Sequence, residues 1–168
     1  LSAAGLKTAA RGTTQAVVVN LQDKSTTTNY TTPPAGTHAW WSGRADGLNN
    51  KLTRPVPAAS SVKVTASGWY QIEAGYDYLY GEVSTDSGAT WKPVGTALTG
   101  TSGWTARSWD LSAYKGQTVQ FRFRYSTDGG TSLKGAFIDD IAVAKDGVAG
   151  AVDDVESGAG AWKASGFS

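Results

Sequence analysis

The stretch TVQFRFRYST, residues 118–127, leaves few architectures open. Val119, Phe121, Phe123 and Tyr125 fall on one side of an extended chain, Gln120, Arg122 and Arg124 on the other. Successive side chains of a strand point to opposite faces, so this strand has one face in a core and the other in water. That half-wet pattern is the mark of an antiparallel sheet.

The rest of the chain repeats the theme. SSVKVTAS (60–67) alternates with Val62 and Val64 on one face, and QAVVVNL (15–21) and AFIDDIAVA (136–144) read as strands. GWYQIEAGYDYLYGEVST (68–85) is two strands or one bent strand, interrupted at Ala74-Gly75. Residues 24–50 form a long polar connection with a short strand at HAWW, and DLSAYKGQ (110–117) is a turn whose Leu111 and Tyr114 plug the core. Apolar and aromatic runs punctuated by Gly, Asp, Ser and Asn describe an all-β sandwich or barrel. After Lys145 the composition shifts to a short apolar segment, an acidic cluster and then Gly, Ala and Ser. Residues 147–168 therefore read as a linker and the first strand of a following β module, and 1–13 as an N-terminal extension.

STDSGATW (84–91) has the form S-x-D-x-G-x-T-W, an Asp-box of the kind found in sialidase-type propellers, and STDGGTS at 126–132 is a weaker echo. A propeller needs at least four blades of about 40–50 residues each, and a chain of 168 residues is too short for one. The motif instead marks a hairpin: Asp86 binds backbone amides, Gly88 supplies a positive φ and Trp91 folds over the turn.

Composition removes several functions. Fifteen basic and fourteen acidic residues, dispersed for a net charge of +1, offer no footprint for nucleic acid. No apolar run approaches the ~20 residues of a membrane span. Without cysteine there is no disulfide, thiolate site or cysteine nucleophile. His38 is the sole histidine, which excludes an H-E-x-x-H zinc site, and THAWW supplies no nucleophile for a triad. No phosphate-binding glycine motif occurs, so no catalytic residue is assigned. Abundant Gly, Ser, Thr and aromatic residues without Cys or Met suggest a secreted β protein, and Leu1 suggests a processed or excised piece.

Carboxylates carry the remaining chemistry. Glu73 and Asp77 flank the 74–75 break, and Asp139 and Asp140 interrupt an apolar strand, so one of the latter two should point inward. A buried carboxylate must be paired or must hold a cation. Arg122 or Arg124 would supply the ion pair. A calcium ion, which takes six to eight oxygens, would draw them from Glu73, Asp77, Asp139 or Asp140, with Asp46 or Asn49 from the long connection. Trp40, Trp41, Trp104 and Trp109 could form an aromatic sugar-binding platform, although such rings are more often core. Asn29-Tyr30-Thr31 has the glycosylation acceptor pattern.

Taken in order, WWSGRADGLNNKLTRPV, YQIEAGYDYLYGEVSTDSGATWKPVG, DLSAYKGQTVQFRFRYSTDGG, AFIDDIAVA and DDVESGAGAWKASGF resemble the region beyond the catalytic domain in immune inhibitor A-type secreted metalloproteases. The resemblance implies a MAM-like antiparallel jelly-roll β-sandwich over 14–146. It implies an accessory module that packs on a parent catalytic domain or engages an extracellular protein or glycan. It supports calcium as a structural cofactor. The zinc site of such proteases is not carried over, and GLNN at 47–50 stands where related sequences carry an acidic stretch. The alternative is an autonomous carbohydrate-binding module using exposed tryptophans.

Overall fold

The computed structural model describes residues 29–168; the expected strand at 15–21 and the 1–13 extension lie outside the described residues. Nine strands follow in order: β1 Trp40–Trp41, β2 Asn49–Val56, β3 Val62–Gln71, β4 Tyr78–Ser84, β5 Lys92–Leu98, β6 Thr101–Asp110, β7 Val119–Ser126, β8 Gly135–Lys145 and β9 Lys163–Ser165. They form two sheets, β1-β8-β3-β6 and β5-β4-β7-β2-β9, and each strand-to-strand pairing is antiparallel, with one isolated parallel bridge from Lys51 to Gly166. This is the jelly-roll sandwich that the alternation and the resemblance imply.

β7 is the middle strand of the five-stranded sheet and obeys its pattern at every position. Phe121 and Phe123 are fully buried and Tyr125 nearly so, while Gln120, Arg122 and Arg124 on the other face keep some exposure, the two arginine side chains 13% and 21%. Across the core, Val64, Ala136, Ile138 and Ile141 close from the other sheet. Trp109 of β6 meets Phe123 edge-on at 4.9 Å and lies over β4 at Gly81, where any Cβ would collide with its indole. Leu111 is buried just ahead of a single 3-10 turn, Ser112–Tyr114, and Tyr114 packs against the core as expected.

The Asp-box is the β4–β5 hairpin. Asp86 accepts hydrogen bonds from Thr90 N at 2.9 Å, Thr90 Oγ1 at 2.6 Å and Ser84 Oγ at 2.7 Å. These bonds, the Thr90 hydroxyl's foremost, hold its pKa down at about 2. Gly88 takes φ 94°, and Trp91 Nε1 donates to its carbonyl at 3.0 Å. The Trp91 ring lies on the Arg122 guanidinium rather than in the core.

The segment 147–168 corrects the expected boundary. It returns to this same sandwich, where β9 pairs with β2 and extends the five-stranded sheet. Asp153 and Ile141 exchange both backbone hydrogen bonds, as do Ser168 and Trp41. Trp162 and Phe167 are both buried, and Trp162 stacks on Phe123 at 5.6 Å. The low apolar density that suggested a linker hides two aromatic anchors five positions apart, and two large rings suffice to dock a short segment. Trp162→Ala should therefore cost about 3–5 kcal/mol of stability, read as a lower urea midpoint; an independent linker would leave the midpoint unchanged.

Candidate functional site

Strand register brings three carboxylates together at one end of the sandwich. Tyr78 of β4 sits opposite Ser126 of β7, so the turn before β4 and the loop after β7 are neighbours. The β3–β4 turn closes through Glu73, whose carbonyl accepts from Asp77 N at 3.0 Å, with Gly75 at φ 80°. Glu73, Asp77 and Asp128 then hold oxygens all within 4.8 Å of one another. Glu73 and Asp77 are the expected pair. Asp128, the aspartate of the STDGG echo, carries no ligand signal of its own in the sequence, and only register brings it to Asp77.

Asp77 is the constrained member, with 1% of its surface exposed. Its partners are all long: Glu73 N, Tyr125 Oη and Asp128 N each donate at 3.4 Å. Among the described residues no lysine or arginine forms a salt bridge with any of the three. Burial pushes the Asp77 pKa up, and the Asp128 and Glu73 charges add to it. Burial and the Asp77 charge likewise raise the Tyr125 hydroxyl. An all-oxygen, all-anionic donor set with one buried carboxylate and no counter-cation fits a hard divalent ion. Glu73 Oε2 also accepts from Thr131 N at 3.2 Å, which draws the β7–β8 loop over the cluster.

The other expected ligands lie elsewhere. Asp139 pairs across β3 with Ser67, whereas Glu73 follows the end of that strand at Gln71. Six residues at about 3.3 Å each put the two roughly 20 Å apart. Asp139 is fully buried. A bulge in β8 makes this possible: Ser67 faces Asp139 while Thr65 faces Ala142, and Asp140 takes φ 49°. Asp139 Oδ1 accepts from Asp140 N at 2.8 Å, and its Oδ2 has no hydrogen-bond partner among the described residues. Burial foremost, with the charges of Asp140, Glu156 and Asp154, raises its pKa to about 6. Asp140 accepts instead from Ser67 Oγ at 3.3 Å. Asp46 is exposed and accepts from Ser132 Oγ, and Asn49 is exposed at the head of β2; neither is in the carboxylate cluster.

Arg122 and Arg124 do not pair with Asp139 or Asp140. Both pair with Glu82, which sequence reading passed over, at 2.6 and 2.9 Å. The four tryptophans do not form a platform either. Trp40 and Trp109 are core residues, 7% and 4% exposed. Trp41 is half-buried and packs with Tyr30 and Phe137, and Trp104 Nε1 donates to Thr31 Oγ1 at 3.0 Å. His38 and Thr37 bind Glu156, which those hydrogen bonds hold at a pKa of about 2.

The described residues thus form a two-sheet antiparallel sandwich with an acidic cluster at one end. The chain belongs to the immune inhibitor A-like MAM domain family, whose model matches residues 2–168. It is 35% identical over 136 residues to the pre-pro-metalloprotease PrtV of Vibrio cholerae serotype O1 (strain M66-2), covering 74% of this chain and 15% of that protein. It is 32% identical over 149 residues to immune inhibitor A of Bacillus thuringiensis subsp. alesti, covering 82% of this chain and 21% of that protein. The chain thus spans only about a fifth or less of these relatives. A solved structure of TmCBM61 in complex with β-1,4-galactotriose is similar at a TM-score of 0.43 and 16% identity, over 68% of this chain and 75% of that one.

The shifted carboxylates set opposite pH windows. Asp139 has a folded pKa raised to about 6, so in that range the folded state binds more protons than the unfolded one. Its ionised form costs stability above pH 6, and the cost is relieved as pH falls towards 4. Asp86 and Glu156, both held at about 2, stabilise above pH 4 and lose that contribution as pH falls through their folded values. In chelator, the melting temperature should rise from pH 7.5 to about 5 and fall below 4. Asp139→Asn should flatten the upper limb and stabilise at pH 7.5 by at most about 3 kcal/mol, measured by calorimetry across pH.

Proposed function

We propose that this domain is a non-catalytic accessory β-sandwich of a secreted zinc metalloprotease, stiffened by one structural calcium ion held by Glu73, Asp77 and Asp128. The module packs on the catalytic domain or helps to engage substrate. Family membership and the metalloprotease relatives support the accessory role. The observation that carries the calcium reading is the buried Asp77, within 4.8 Å of two further carboxylates and without a cationic partner. Calcium there would neutralise mutual repulsion and tie the β3–β4 turn to the β7–β8 loop, joining chain segments some fifty positions apart. Glu73 and Asp128 come from different loops, so the ion's role is to fix the end of the sandwich rather than to act on a substrate. A carbohydrate-binding module built on Trp40, Trp41, Trp104 and Trp109 has weaker support, because two of the four rings lie in the core.

Excess calcium, compared with excess chelator, should raise the melting temperature of the isolated domain. At a hundredfold excess over Kd the gain is about 2.7 kcal/mol. Asp77→Asn and Asp128→Asn should each abolish the calcium response. Identical melting in calcium and chelator would remove calcium from the description. Peptidase activity that survives repurification and is lost on substituting a single carboxylate would overturn the accessory role.

A further inference from the structure

The near-neutral composition conceals a segregation of charge that the fold makes visible. The strands of the five-stranded sheet carry Lys51, Arg54, Lys92, Arg122, Arg124 and Lys163 against a single acid, Glu82. Arg54 lies over Trp162, but most of the others belong to the outer face. Register places Lys51 opposite Arg124, Thr53 opposite Arg122, and Lys163 opposite Thr53. Because Leu52, Phe121 and Phe123 are buried, these partners share the solvent side. The result is a cationic band across β9, β2 and β7, roughly 10 Å wide at the usual interstrand spacing.

Two of these cations are held rigidly. Glu82, 6% exposed, takes Arg122 Nε on one oxygen at 2.6 Å and Arg124 Nε on the other at 2.9 Å. Arg122 Cζ lies 3.9 Å from the Trp91 ring centroid, and Arg124 Cζ 4.3 Å from that of Tyr80. One carboxylate and two aromatic rings therefore fix both guanidinium groups. Each uses only Nε internally; the terminal nitrogens have no hydrogen-bond partner among the described residues, and the side chains keep 13% and 21% of their surface exposed. Glu82 neutralises one guanidinium of the pair and leaves the other uncompensated. A planar, pre-positioned guanidinium with its terminal nitrogens unused suits a carboxylate or sulfate better than a mobile lysine does. The entropy of ordering these side chains is spent in folding, not in binding.

Neutral hydrogen-bonding groups are interspersed with the charges. Asn49 sits opposite Ser126, and Thr53 lies between Lys163 and Arg122. Cations interspersed with hydroxyl and amide groups across neighbouring strands match a chain that itself carries both acidic groups and hydroxyls. We propose that the outer face of the five-stranded sheet binds an acidic polysaccharide, its anionic groups taken by Arg122, Arg124, Lys51 and Lys163 and its hydroxyls by Asn49, Thr53 and Ser126. This site lies on the opposite sheet from Trp41 and Trp104, and it depends on neither the calcium nor the protease reading.

Affinity electrophoresis through polygalacturonate, without added calcium and at low salt, tests it. Polygalacturonate should retard the domain, neutral β-1,4-galactan should not, and retardation should fall steeply with salt. Lys51→Gln combined with Lys163→Gln alters only band cations that make no internal ion pair, and should weaken retention at least threefold with melting unchanged. Arg124→Lys, which keeps the charge but loses the fork, should weaken it further. Equal retention by poly-L-glutamate or by single-stranded DNA would make the face a general polyanion surface and overturn the sugar assignment. No retardation by polygalacturonate, or retention indifferent to the lysine substitutions, would overturn the proposal altogether.

Discussion

The structure depends on the two-sided alternation of β7. As the central strand of its sheet, it must satisfy the core through Phe121, Phe123 and Tyr125 and the solvent face through Arg122 and Arg124. A slip of one residue would bury both arginines and expose three aromatic rings, so register is strongly enforced. That register also fixes β2 and β4, because both pair with β7 over most of its length. Once β4 is placed, Asp77 must stand beside the loop that carries Asp128. Once β2 is placed, its far edge is open to β9, and Trp162 and Phe167 can reach the core.

Each sheet therefore supports a different kind of polar device. In the five-stranded sheet Glu82 is buried but satisfied, with each oxygen matched to an arginine. A buried charge of this kind is tolerated because partners and hydrogen bonds replace its water. In the four-stranded sheet Asp139 is buried with one oxygen unmatched, and its proton affinity rises accordingly. At the end of the sandwich three carboxylates converge with no cation between them. The first arrangement is complete within the chain. The second is relieved by a proton, and the third keeps its carboxylates together without a counter-charge from the described lysines or arginines.

The hairpin motif illustrates how a local signature acquires a second role. Its internal hydrogen bonds are written in eight consecutive residues, and Asp86, Gly88 and Trp91 behave as those residue types require. Nothing in the motif says that Trp91 will cover Arg122, thirty-one positions later in the chain. Strand pairing alone supplies that contact, and with it the fixed orientation of a cation on the outer face.

What the sequence determined by itself was whatever depends on neighbours in the chain: the alternating strands, the turn at 74–75 and the Asp-box hairpin. What it could not determine is which distant segments meet. Two of the expected calcium ligands converge, but their third partner, Asp128, lies some fifty residues away in a loop read only as a second turn. Trp40 and Trp109 resemble exposed rings as much as core rings until the opposing sheet covers them. The arginines find Glu82 rather than Asp139, because cross-strand pairing puts Glu82 opposite Arg122. Segregated charge is invisible in a chain whose basic and acidic residues nearly balance. Only tertiary structure decides these matters, because side-chain periodicity is a property of one strand, whereas ion pairs, burial and metal ligation are set by register between strands.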